Sequence, residues 1–265
     1  MNIFLKELKS HRKSLIFWSI GIFLMVTSGM VKYESLSSSG QPMNEMLAGM
    51  PKSLLALLGI GEFDISTASG YYGLLYIYLL LMATIHSAML GATIIAKEER
   101  DKTTEFLFVK PVSRNRIITA KLLAALVNIV VLNIVTFISS LVLVGKYSSG
   151  EVVTGDIAIT MAGMFILQLL FMVIGSSLAA VKRKSKTAAS FAAGILLLTY
   201  LISVVIDLNE GIEGLKYLTP FKYFEAKNIM FGGGLEFIYV LLSAGLIAAL
   251  TAVTFIFYKK RDLNV

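Results

Sequence analysis

Six long apolar runs, separated by polar segments, set the organisation of the chain: residues 14–31, 71–96, 122–144, 157–181, 188–206 and 237–258. Crossing a bilayer as a helix takes roughly 20 predominantly apolar residues. A helix also satisfies its own backbone hydrogen bonds where no water is available. The alternating-polarity segments of a membrane barrel are absent from the sequence. The pattern therefore predicts an all-α integral membrane protein with six transmembrane helices.

A further element precedes the first run. In MNIFLKELKSHRK, residues 1–13, a 100° step gathers Met1, Phe4, Leu5 and Leu8 on one side and sets Lys6, Lys9 and Lys13 opposite. That pattern suits an amphipathic helix lying on the membrane surface. The plainer reading is a short basic flank that only sets orientation. The first run lacks a convincing small-residue cleavage site and is expected to be a retained span.

The connections are uneven. The loop after residue 144 is short, whereas 32–70 and 207–236 are long. In MPKSLLALLGIGEFD, residues 54–58 are too few to span, so an interfacial or re-entrant turn of helix is expected there. The second long loop holds LTPFKYFEAKNIMFGGG, in which aromatic anchors precede a glycine terminator. No internal repeat is evident.

Composition agrees with this picture: of 265 residues, 56% are hydrophobic and 15% charged, where a soluble domain carries about 25% charged residues. Charge placement supplies the orientation. Four Lys and Arg lie in the N-terminal flank, seven in 97–121, four in 182–186 and three in 259–261, against six on the other side. Basic residues concentrate on cytoplasmic loops, so both termini and the segment 97–121 are expected in the cytoplasm. The net charge of +7 is then a topology signal, and no nucleic-acid partner is called for. Tyr33, Tyr71, Tyr72, Tyr147, Tyr217 and Tyr239 fall near the outer ends of the runs, where an amphipathic ring suits the interface.

Enzyme chemistry is sparse. The chain has no Cys and two His, His11 and His86, so neither thiolate chemistry nor a metal site is expected. No G-x-x-x-x-G-K-[ST] phosphate loop occurs, since Gly145-Lys146 is followed by Tyr147. The run GIGEFD, 59–64, is superficially like an intramembrane aspartyl-protease motif but falls in a long outer loop. The pair Glu98-Glu99 is superficially like that of membrane prenyl-endopeptidases but lacks the downstream Arg and the metal-binding His.

Within the runs, His86, Asn128, Asn133 and Gln168 are costly to expose to lipid and should face inward. They are candidates for the lining of a translocation path; the competing role is hydrogen bonding between helices, worth about 0.6 kcal/mol per contact on average. Small-residue spacings, Ser87/Gly91, Ala189/Ala193 and Ser190/Gly194, read as helix-packing faces.

The densest polar insert is KEERDKTTEFLFVKPVSRNRIITAK, 97–121. Asp101 is a plausible N-cap for a short helix through Thr103, Thr104, Glu105 and Phe106. Pro111 stops it, because the residue before proline is pushed out of the α region, and Ser113 caps the helix that becomes the third span. Phe106 to Val109 is too apolar for a solvated loop. A short helix along the cytoplasmic face between spans two and three is expected, able to move both when pushed.

Here the sequence resembles the ABC-2 type transporter permeases. The family pattern of a Glu, a Thr-x-Glu-x-Leu-like run, Pro-Val-Ser-Arg, an Ile and a Lys is matched by Glu99, Thr103, Glu105, Leu107, Pro111, Val112, Ser113, Arg114, Ile117 and Lys121. The run 218–224, LTPFKYF, is similar to the family's segment before the last span. Phe108-Val109-Lys110 departs from the usual Leu- or Ser-rich stretch. The resemblance implies one transmembrane domain over 1–265, the permease subunit of a bacterial exporter in the plasma membrane. It would move an antibiotic, peptide, lipid or similar substrate. It implies no catalysis on this chain, with ATP and Mg bound by two separate ATPase subunits, and a second copy or a sister permease as mate among the membrane lipids. Residues 1–13 would be its connecting helix and 97–121 its coupling segment, with Glu98, Glu99, Thr103, Thr104, Glu105, Leu107, Pro111 and Arg114 at the ATPase interface. The alternative is a scaffold or sensor that transports nothing.

Overall fold

The computed structural model describes residues 2–38, 47, 49–58, 63–101, 112–148, 153–182 and 187–260. Six helices among them are long and apolar enough to cross a membrane: α1 (Ile3–Ser38), α2 (Ala68–Arg100), α3 (Arg114–Tyr147), α4 (Thr154–Val181), α5 (Ala188–Leu208) and α6 (Phe237–Lys260). No strand occurs among the described residues. Short helices at Lys52–Leu58 and Ala226–Phe231 and 3₁₀ turns at Glu210–Leu218 and Pro220–Phe224 fill the long connections. An even number of spans brings the start of α1 and the end of α6 to one end of the bundle, which we call the base.

The sequence divides residues 1–13 from the span at 14–31, but the structure joins them in one 36-residue helix. At 1.5 Å per residue α1 is ~54 Å long, well beyond the roughly 30 Å hydrocarbon core. No proline or glycine lies between residues 3 and 20 to break it. Its buried stripe, Ile22, Val26, Met30 and Tyr33, follows helical spacing and packs inward, while Ile16, Phe17, Ile20 and Leu24 stay exposed.

Helices α2 and α4 form the most extensive pair and the centre of the bundle. The apolar windows of α2 and α4 are 72% and 61% buried, against 17% in α1 and 11% in α6, whose outward faces remain apolar. Two glycines permit the central contact. A Cβ on Gly91 would overlap the Met172 carbonyl, and one on Gly175 would overlap the Ala88 carbonyl and the Ala92 amide. Small residues allow backbones to approach in this way in membranes. The Ser87/Gly91 face is thus the packing surface its spacing predicts, whereas Ser190 and Gly194 are exposed and Gly194 has open space beside it.

The tyrosines depart from their expected interfacial role. Tyr72 is fully buried, with its hydroxyl 3.1 Å from Thr160 Oγ1, and Tyr76 donates to the Thr160 carbonyl at 3.0 Å. Tyr33 and Tyr71 pack ring to ring at 5.2 Å. Of these rings only Tyr217 is largely exposed. The helices overrun the apolar runs, so rings at the run ends are covered by neighbouring helices.

Candidate functional site

Three helices converge at the base on a buried ion cluster. Lys97 and Glu98 occupy the last turns of α2, and with Ile94 they share one face, being three and four positions apart. Glu7 and His11 are likewise paired on α1. Lys121 lies on the buried stripe of α3 with Ile117, Ala124, Ala125 and Asn128.

The contacts close a network. Lys97 Nζ donates to Glu7 Oε2 at 3.0 Å, and Lys121 Nζ donates to Glu7 Oε1 at 3.3 Å. Lys121 Nζ also donates to Glu98 Oε1 at 2.8 Å and to the Ile94 carbonyl at 2.6 Å. Lys121 and Glu7 are essentially inaccessible, at 0% and 1% exposure. His11 Nε2 approaches Glu7 at 3.8 Å. Two carboxylates and two ammonium groups balance. Taking charges out of water is costly unless they are paired and hydrogen-bonded, and here Lys121 has all three of its donors engaged. The cluster therefore fixes α1, α2 and α3 relative to one another.

Helices α2 and α3 flank residues 102–111 in sequence. Helix α2 ends at Arg100, with the Asp101 amide bonded to the Lys97 carbonyl at 2.8 Å. Asp101 thus stands as the C-cap of α2; the short helix it is expected to start lies outside the described residues, as do Thr103, Thr104, Glu105, Leu107 and Pro111. On the return side Ser113 is the N-cap of α3, its side chain accepting from the Arg116 amide. Arg114 Nη1 donates to the Lys259 carbonyl at 2.6 Å, tying the start of α3 to the end of α6. Glu99 is half-buried, beside Glu98 and within the last turns of α2. Among the described residues expected at the interface, Glu98 enters the cluster.

The polar residues of the spans are brought to different interfaces. His86 packs edge-on against Trp18 of α1, with ring centroids 5.6 Å apart, and its Nδ1 has no hydrogen-bond partner. Asn128 donates to the Ala124 carbonyl of its own helix at 2.7 Å. Asn133 Nδ2 donates to Gln168 Oε1 at 3.1 Å, joining α3 to α4. Among the described residues no three His, Cys, Asp or Glu side chains converge as a metal-ligand set.

A second charged group lies at the far end. Lys222, in a 3₁₀ turn whose residues are all buried, pairs with Asp207 and Glu225. Around it Tyr223 stacks on Tyr239 at 4.9 Å, and Phe221 packs on Phe171 and Tyr200. The run 218–224 is therefore a plug between α4, α5 and α6.

Glu7, Lys97 and the partners of Lys222 are not among the site residues expected from the sequence. A signal for Glu7 exists, since it is the one acidic residue before Glu34 in an otherwise basic flank.

A family model described as ABC-2 family transporter protein matches residues 1–263. No curated protein matches the chain.

Proposed function

The chain belongs to the ABC-2 family of transporter proteins, the membrane permeases of ABC transporters, and from that premise we propose that it is an exporter permease driven through segment 97–121. A separate ATP-hydrolysing subunit docks on that segment; two such subunits serve a pair of permeases, either two copies of this chain or this chain and a sister. The excess of Lys and Arg at the base supports placing it, both termini and the segment in the cytoplasm of a cell with this protein in its plasma membrane.

The observation that carries the reading is the Glu7–Lys97–Lys121–Glu98 cluster. It lies between the two stems of the segment and adds α1 to them. A displacement of the segment is then passed to three helices as one body, and through Arg114 to the end of α6. Rigid-body motion of packed elements is a common switching mode. ATP-driven closure of the partner subunits, felt differently in two arrangements of the permease, shifts the population between inward-open and outward-open states. The role of this chain is to receive that displacement and bear it across the membrane; nucleotide chemistry belongs to the partner.

The test is co-purification. Tagged full-length protein, extracted in mild detergent, is expected to retain an ATPase, and Glu105→Arg or Leu107→Arg is expected to release it while leaving the thermal midpoint of the permease unchanged. Retention of no ATPase by the wild-type chain favours a scaffold or sensor.

A further inference from the structure

A cleft of about 310 Å³ opens between α1 and α3 near the base, lined by Leu8, Lys9, Arg12, Leu15, Val127 and Asn128. We propose that it binds an anionic membrane phospholipid, the phosphate held by Lys9 and Arg12 and an acyl chain running between Leu15 and Val127. The inference goes beyond the transport reading and stands without it, since it needs only that the chain spans a membrane.

Lys9 and Arg12 lie three positions apart and so on one face of α1. The nearest carboxylate on their helix, Glu7, is buried and already engaged by Lys97 and Lys121. No acidic partner faces Lys9 or Arg12 among the described residues. Two uncompensated cations therefore share one concavity, where a phosphate accepts from both at once.

The wall opposite decides what carries that phosphate. Leu8, Leu15 and Val127 give the cleft an apolar side. The same two helices also expose Leu5, Ile16, Leu123, Val130 and Val131. A free anion or a nucleotide leaves that surface unmatched; a lipid tail covers it. The depth also suits a headgroup. Arg12 stands just before the apolar run that starts at residue 14, where long basic side chains lay their stems along apolar surface and hold the charge at the interface. Basic pockets between membrane helices hold acidic lipid headgroups on these terms. A lipid seated there contacts both α1 and α3, one turn from the ion cluster that joins the same helices.

The test titrates the purified full-length protein in neutral detergent with phosphatidylglycerol or phosphatidylcholine and counts bound lipid by native mass spectrometry. Wild type is expected to prefer phosphatidylglycerol by roughly tenfold in affinity. Lys9→Gln with Arg12→Gln is expected to abolish the preference, and Val127→Trp, which fills the cleft without touching charge, to lower it. Lys6→Gln with Lys13→Gln, on the same helix outside the cleft, is expected to keep it within about twofold. Millimolar inorganic phosphate is expected to leave the lipid bound. Equal loss in both pairs of Lys and Arg variants, with an unmoved thermal midpoint, overturns the site in favour of diffuse attraction. Displacement by inorganic phosphate overturns the lipid in favour of a free anion.

Discussion

Lys121 of α3 reaches Glu7 of α1 across 114 positions of sequence, its ammonium 3.3 Å from the carboxylate and both side chains sealed from solvent. Lys121 is the last residue of the segment proposed to meet the ATPase, and Glu7 lies outside it. The pair joins α1 to α3, one of the two helices that flank residues 102–111, and so bears on coupling.

Glu7→Ala leaves the buried Lys121 and the partly buried Lys97 short of a counter-charge. A loss of about 3–5 kcal/mol is expected for breaking such a pair from one side, read as a lowered unfolding midpoint in detergent. Glu7→Gln combined with Lys121→Met is expected to recover part of that loss, because the orphaned charge is removed with its partner. A double variant as unstable as the sum of the two singles contradicts the pairing.

Gly91→Leu and Gly175→Leu each place a side chain where backbone of the facing helix already stands. Overpacking a tight contact costs about 1–3 kcal/mol or more, so both variants are expected to give low yields of folded protein. Gly194→Leu, with open space beside it, is expected to behave as wild type. Fluorescence-detected size exclusion of the three variants makes the comparison.

Asn133→Leu takes the hydrogen bond from Gln168, whose Nε2 already lacks a partner in a fully buried site. A loss of about 1–3 kcal/mol is expected for the unsatisfied amide. Asn133→Leu with Gln168→Leu is expected to be closer to wild type than the single variant. Should transport fail in the double variant while stability is kept, the pair lines the path of the substrate instead.

Lys222→Met leaves Asp207 and Glu225 facing each other at the far end. The expected loss is about 1–3 kcal/mol, toward the lower end because Asp207 is half exposed. Burial alone weakens the hold of Lys222 on its proton, yet Glu225 and Asp207 more than offset this and raise its pKa above the ordinary 10.5. A raised lysine pKa contributes stability that is fully present below the unfolded value and is lost as pH rises through the folded one. In Lys222→Met, Glu225, whose pKa burial already raises, loses the partner that lowers it. The difference from wild type is therefore expected to be largest near pH 9 and to narrow toward pH 6 as Glu225 takes up a proton; a difference that widens toward pH 6 contradicts it.

Much of the architecture was legible in the hydropathy pattern, because lipid demands long uninterrupted apolar helices and little else satisfies it. Ser113 as a helix cap and Ser87/Gly91 as a packing face were legible too, each from chemistry within a few residues. The ion cluster was not. Glu7, Lys97 and Lys121 are ordinary charged residues locally, and only the crossing of α1, α2 and α3 makes them partners. The continuous α1 was hidden for a related reason: the polar stretch before residue 14 reads as a surface helix until the buried Glu7 gives it an inward face. Position along the run assigns Tyr72 to the interface, whereas the overlap of α2 with α4 decides its burial.

The account rests on the segment between α2 and α3 being the place where a separate ATPase takes hold. The chain contains no cysteine, so a single introduced thiol reports without background. Glu105→Cys and Glu236→Cys, one in that segment and one at the far end, are to be treated in cells with a short thiol–amine cross-linker and purified under denaturing conditions. The account predicts an ATPase-sized adduct from Glu105→Cys, confirmed by peptides of an ATP-binding subunit, and none from Glu236→Cys. Adduct from Glu236→Cys alone, or from neither position while the ATPase co-purifies, contradicts it.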